Sequence, residues 1–214
     1  DLEHRQVPNS PDQVDLVISV EEKPTGNIMV GAGYSQAEQL SLTAGIKEDN
    51  VLGSGNSLAF NIDTSQFNRG LYLSSKDPYF TDSGISRTFD VYYRTTRPYV
   101  AQEGDYSLNT AGGSIKLGVP FSANDVVYFG VGLEATKVTT GSQLPAAYQE
   151  FTDQFGSPAT SLPLTVGWAN DTRDSFLAPS RGRLQSFNSV LSLAGDVRYV
   201  TLSYKYQQYW PLTK

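Results

Sequence analysis

Cysteine is absent from the 214 residues, which excludes disulfide frameworks, thiol nucleophiles and thiolate metal sites but identifies no compartment. Histidine occurs once, at His4, so a Ser-His-Asp triad and an imidazole metal site both lack their parts, and an exposed strand residue is the simpler role. No run of about 18 apolar residues exists, so no transmembrane helix is expected; a β-barrel span needs only about 9 to 11 alternating residues and escapes a hydropathy scan. Charge is sparse at 18% of residues with a formal net charge of -6, and none of the 16 Lys and Arg form a block. That balance argues against nucleic acid as a partner. An initiator Met and a signal peptide are lacking too, since the chain opens at Asp1, so it is expected to be a mature protein or an excised piece.

What is present favours extended structure. There are 13 Tyr, 10 Phe and 19 Gly against one Met, a composition suited to strands rather than helices. Two runs, 2–7 and 14–22, are joined by the loop-like "PNSPDQ" and form an expected hairpin. "KPTGN" (Lys23 to Asn27) then marks a boundary. Beyond it apolar and polar residues alternate in about ten successive strands. Leu40, Leu42, Ala44 and Ile46 oppose Ser41, Thr43, Gly45 and Lys47; Phe89, Val91 and Tyr93 oppose Asp90, Tyr92 and Arg94; Val127, Phe129, Val131 and Leu133 oppose Tyr128, Gly130, Gly132 and Glu134.

The second face carries Lys47, Asp63, Lys76, Asp90, Arg94, Lys116, Glu134 and Lys205, in both signs, and no charge interrupts an apolar row. Charging a lipid-facing row costs about 2 to 4 kcal/mol at the bilayer midplane, whereas a wet lumen accepts charge. A soluble sandwich also turns charges outward, so the alternation leaves both architectures open. Three features favour the membrane barrel. Apolar rows end in aromatics (Tyr34, Tyr93, Phe121, Trp168, Trp210). Brief turns at 48–55 and 122–125 take turns with long loops at Arg97 to Leu108 and Gly141 to Ser161. Hairpin-linked strands suit an up-and-down meander. Within the longest loop, Ala146 to Gly156 has helical spacing, with Tyr148, Phe151 and Phe155 on one side.

Particular stretches carry a resemblance. "SPDQVDLVISVEEKPTGNIMVGAGYS" (Ser10 to Ser35), "GIKEDNVLGSGNSL" (Gly45 to Leu58), "SKDPYFTDSGIS" (Ser75 to Ser86) and "LTVGWANDTRDSFLAPSRG" (Leu164 to Gly182) occur in order along the chain. Together they are similar to the BamA family of outer-membrane protein assembly factors, of the POTRA/bacterial surface antigen type. Ser180 and Arg181 stand where that family more usually shows Thr and a varied residue. Members have about five periplasmic POTRA domains and a barrel of about sixteen strands. The resemblance therefore implies an all-β fragment: residues 1–24 as the C-terminal hairpin of the last POTRA domain, and 25–214 as the N-terminal portion of an antiparallel up-and-down transmembrane β-barrel. The piece is expected to be an open sheet, raw at its first and tenth strands and prone to association.

The resemblance also implies a function without enzymatic chemistry, cofactor or metal: folding and inserting outer-membrane proteins in the cell outer membrane, with 1–24 in the periplasm. The implied client-pairing edge is the first barrel strand, Asn27, Ile28, Met29, Val30, Gly31, Ala32, Gly33 and Tyr34, and the implied family turn is Asp77, Pro78, Tyr79 and Phe80. Implied partners are the lipid bilayer, unfolded outer-membrane protein clients and accessory lipoproteins of the assembly complex. Gly26, Gly31 and Gly33 admit close approach of another backbone or merely let the wall bend. Asp171, Arg173 and Asp174 form either a docking point for a partner or a solvated turn. A passive pore, a two-partner-type polypeptide transporter and a soluble carbohydrate-binding sandwich are the competing readings, and an esterase-type barrel lacks a suitably placed His.

Overall fold

The structure, a computed structural model, describes residues 2–6, 14–18, 21, 24–36, 39–97, 106–140, 146–175 and 178–211. Two short strands, β1 (Leu2–Gln6) and β2 (Val14–Ile18), form an antiparallel pair of their own, with His4 opposite Leu16. The side chain of His4, and Val7, Glu22 and Lys23, lie outside the described residues.

The rest is one sheet of ten strands in strict sequence order. These are β3 (Gly26–Ser35), β4 (Gln39–Glu48), β5 (Ser57–Thr64), β6 (Asn68–Asp77), β7 (Ser86–Thr96), β8 (Tyr106–Pro120), β9 (Asp125–Thr140), β10 (Ala159–Asp171), β11 (Gly182–Gly195) and β12 (Tyr199–Tyr209). Each pairs antiparallel with the next, so the sheet is a meander with β3 and β12 as its edges. Period-two alternation produces this directly, because any slip of one residue would turn a whole apolar row toward water. Among the described residues no helix is long and apolar enough to cross a membrane.

Among the described residues nothing covers the apolar rows. Leu42 is 45% exposed, Phe60 38%, Val91 58%, Leu117 36% and Phe129 47%. A soluble sandwich would bury those side chains between two sheets, and an apolar face of this extent is not stable in water. The fold is an incomplete transmembrane β-barrel, with its apolar face outward and its mixed face inward.

The connections 97–105 and 141–158 lie at one end of the sheet, the loop end, but so do the brief links 36–38, 65–67 and 196–198; the other end, the short-turn end, carries 49–56, 78–85, 121–124 and 172–181, so the expected alternation of brief turns with long loops holds only in part. In the first short turn Asn50 Oδ1 accepts the Gly55 N–H at 2.7 Å, and the Val51 N–H donates to the Asn56 carbonyl at 2.9 Å. Gly53 and Gly55 take φ of +77° and +74° there, values that L side chains rarely adopt. At the loop end the strands outrun their expected limits. The loops expected at Arg97 to Leu108 and Gly141 to Ser161 are shortened, because β8 starts at Tyr106, β9 continues to Thr140 and β10 starts at Ala159. The cause is a small core: Tyr106, Val138 and Ala159 are the buried apolar residues among those described, and the Tyr106 ring meets Tyr148 at 4.4 Å. Tyr148 belongs to α1 (Ala146–Phe155), the helix the spacing predicts. The boundary expected at Lys23 to Asn27 also yields two residues to the sheet, since Gly26 and Asn27 already pair with Glu48 and Lys47.

Candidate functional site

The expected pairing edge is β3. Its inner side is held by β4 in continuous register from Gly26 opposite Glu48 to Ser35 opposite Gln39, while its outer side has no partner strand among the described residues. All ten of its residues are exposed, including Ile28 at 81%, Val30 at 80% and Tyr34 at 78%. Alternate backbone N–H and C=O groups of such an edge point away from the sheet and are free to bond an added strand. Packing does not require the glycine at 31, since a Cβ there would meet only Thr43 Cβ at 3.9 Å. At Gly33 the fit is tighter, with Ser41 Oγ at 3.0 Å.

The turn at Asp77, Pro78, Tyr79 and Phe80 links β6 to β7. Asp77 accepts the Tyr79 N–H at 3.2 Å, an Asx turn that starts the reversal. Its carboxylate also lies 3.5 Å from Arg87 Nη2, and the Arg87 guanidinium sits 4.0 Å over the Phe80 ring and 5.0 Å from Phe89. The turn is thereby locked to the outward face of β7 by stacking and charge together. Tyr79 itself is 80% exposed.

Sequence reasoning placed the inward charges but not their pairing. Asp90 meets Lys116 Nζ at 2.9 Å and accepts the Ser74 hydroxyl at 2.7 Å. Tyr92 donates to Glu134, which also lies 3.8 Å from Arg94. Tyr92 reaches Glu134 across Gly112, which stands opposite both residues in the register. A Cβ at Gly112 would fall 2.5 Å from Tyr92 Cζ, so a small residue is required beneath the ring. The inward wall is thus self-neutralised along these rows.

At the short-turn end Asp125 gathers Trp168 Nε1 at 3.2 Å, Asn170 Nδ2 at 2.9 Å and the Ser122 hydroxyl at 2.8 Å. The aromatic that closes an apolar row therefore has its polar edge tied down, as an indole at an interface requires. In the turn after β10, Arg173 forms two bonds to Asp171, from Nε at 2.9 Å and Nη2 at 2.7 Å. Asp174 accepts the Ser180 hydroxyl and the Ser180 and Arg181 N–H groups, and these donors hold its carboxyl down at about 2. Asp171, Arg173 and Asp174 are occupied with closing the turn; Phe176 and Leu177 at its tip lie outside the described residues. Among the described residues no three His, Cys, Asp or Glu side chains gather as a metal site.

Comparison with known proteins gives a consistent picture. The Omp85 superfamily domain matches residues 50–214. The outer membrane protein assembly factor BamA of Neisseria meningitidis serogroup B is 33% identical over 96% of this chain and 27% of its own length. That of Nitratidesulfovibrio vulgaris is 26% identical over 94% of this chain and 25% of its own. The crystal structure of BamA from Haemophilus ducreyi lacking POTRA domains 1–3 superposes with a TM-score of 0.80 at 26% identity, covering 100% of this chain and 42% of that one. The chain spans about a quarter of the length of the curated relatives it matches.

Proposed function

Because the chain belongs to the Omp85 superfamily, we propose that it is the part of an outer-membrane protein assembly factor that offers client proteins a strand to build on. Residues 1–24 are then the end of a periplasmic POTRA domain and 25–214 the first wall of the barrel. The short-turn end faces the periplasm and the loop end, with α1, the exterior. The reading rests above all on β3, an edge whose outer side is unpaired among the described residues and whose side chains are all exposed.

The physical problem is that an inserting barrel carries unpaired N–H and C=O groups into hydrocarbon, at several kcal/mol each, until its own edges close. An edge strand at the membrane offers partners for those groups in advance, as in strand addition generally. No nucleophile or proton relay takes part. The driving force is the burial and hydrogen bonding of the client itself. Partners on this reading are the bilayer, unfolded outer-membrane clients and accessory lipoproteins, the last meeting the periplasmic turns. A pore or polypeptide conduit fits less well, because the inward charges of Asp90 and Lys116, and of Arg94 and Glu134, pair with one another rather than presenting a field to a permeant.

The test is disulfide trapping in cells between single cysteines along 27–34 and cysteines in the terminal strand of a stalled client. Crosslinks that recur at one fixed register, weaker by an order of magnitude when the client is shifted by one residue, are the expected result. Crosslinks spread without register, or confined to the luminal wall, would overturn the reading in favour of a conduit.

A further inference from the structure

The outward face changes chemistry at its loop end. Register places Leu42, Thr64, Arg69, Thr95, Asn109 and Lys137 in one cross-strand row running from β4 to β9. Ile62, Leu71 and Tyr93 lie one step nearer the midplane on the same face, exposed at 37%, 44% and 47%. Polar groups here bond to one another: within the row the Thr95 hydroxyl donates to Asn109 Oδ1 at 2.8 Å, and Asn109 Nδ2 donates to the hydroxyl of Thr139, one step nearer the loops, at 2.9 Å. The two cations do not join in. Arg69 and Lys137 are both exposed, and neither takes part in an ion pair among the described residues. Asp63, the nearest acid in sequence to Arg69, belongs to the opposite face, in the row of Thr43, Gly70 and Arg94. Outward acids of the sheet, Glu48, Asp77 and Asp125, all lie at the short-turn end.

The geometry points to a binding site for a glycolipid headgroup bearing two phosphates, of the lipid A class, on the outward face between β6 and β9. This rests on the membrane orientation adopted above, in which the loop end meets the outer leaflet. Three strand spacings separate Arg69 from Lys137, about 14 Å, a span suited to a disaccharide with a phosphate at each end. Between them the Thr95 hydroxyl, whose proton goes to Asn109, keeps oxygen lone pairs that can accept from a sugar hydroxyl. A hollow of about 430 Å³ whose lining includes Ile62, Thr64, Arg69, Leu71, Tyr93 and Thr95 runs from the cation down to the apolar rows, where acyl chains would lie. Asp63 and Gly70 also border it, but Asp63 forms no ion pair with Arg69 among the described residues. Two cations at the hydrocarbon margin that form no ion pair among the described residues are stabilised when lipid phosphates supply the counter-charge.

The experiment reconstitutes the protein into phosphatidylcholine vesicles doped with bisphosphorylated lipid A, or with phosphatidylglycerol, and counts lipids retained after mild extraction by native mass spectrometry. Wild type is expected to retain lipid A in preference to phosphatidylglycerol. The Arg69→Gln/Lys137→Gln variant should lose about tenfold of that retention, and the charge-keeping Arg69→Lys/Lys137→Arg variant should keep most of it. The single variants, each expected to show a partial loss, serve if the double variant does not insert. Equal lipid A retention by wild type and the glutamine variants overturns the site while leaving the membrane reading intact. Equal retention of phosphatidylglycerol and lipid A by wild type overturns the assignment to a two-phosphate glycolipid. Failure of the wild type to insert at all overturns the membrane reading and this site with it.

Discussion

Gly112 illustrates how one residue sets a contact two strands wide. The bond from Tyr92 to Glu134 passes over it, and a methyl group there would sit 2.5 Å from the Tyr92 ring and 2.6 Å from its hydroxyl oxygen. Gly112→Ala is therefore expected to destabilise the folded chain by about 1 to 3 kcal/mol in urea titrations in micelles. In a Tyr92→Ala background the same change should be nearly neutral, so the two substitutions are strongly non-additive. Asp174 gives a second prediction at this scale. Its folded carboxyl titrates at about 2, well below its ordinary value, because Ser180 and the N–H groups of Ser180 and Arg181 bond the ionised form. Depression of the folded value means that the turn's stabilisation is fully present above the unfolded carboxylate range and is lost as pH falls toward 2. Amide exchange at Ser180 and Arg181 should accelerate more than the base-catalysed trend allows between about pH 4 and pH 2, and Asp174→Asn should remove that pH dependence.

At the scale of elements, the strands were legible because each has a single wet face and a single apolar face, and the period of two leaves no other assignment. β4 follows its alternation from Gln39 to Glu48, and the register with β5 puts Ala44 and Ile46 opposite Ile62 and Phe60 as the rows require. Alternation could not reveal the irregularity in β11, where Ser161 faces Gly195 but Pro163 faces Ser192, since one extra residue alters pairing without altering composition. Nor could it show that Tyr92 reaches Glu134, 42 positions away, because the link depends on the strand order as well as the face. α1 was legible from its spacing, but its seat was not. Tyr148 rests on Tyr106, and just past the helix the Ser157 hydroxyl donates to the Val138 carbonyl at 3.4 Å. Tyr148→Ala should remove about 0.5 to 1.5 kcal/mol of aromatic contact. The expected outcome is faster hydrogen exchange and proteolysis confined to 146–155, with exchange in β3 to β7 unchanged; a slowdown or a change spread over the sheet would mean the helix is held elsewhere.

For the molecule as a whole, the governing fact is that a meander of ten strands leaves two edges, β3 and β12, with outward rows such as Val200, Leu202 and Tyr204 reaching to the second of them. Edges of this kind pair with whatever strand is available, whether a client, a further strand of the same wall or another copy. In micelles the 214-residue chain is accordingly expected to associate as its concentration rises, which sedimentation velocity would measure. The direction of the free backbone groups makes the prediction specific. Along β3 the N–H groups point alternately toward β4 and away from it, so of two adjacent positions such as Val30 and Gly31 only one can donate to an added strand. Proline placed at that one removes the outward donor without touching the ladder to β4, and should weaken association; proline at its neighbour breaks a ladder bond and should instead destabilise the sheet. The same alternation ought to appear in client crosslinking along 27–34. If both prolines left association unchanged, self-association would have to arise from β12 or from the apolar face, and the templating role of β3 would lose its physical basis.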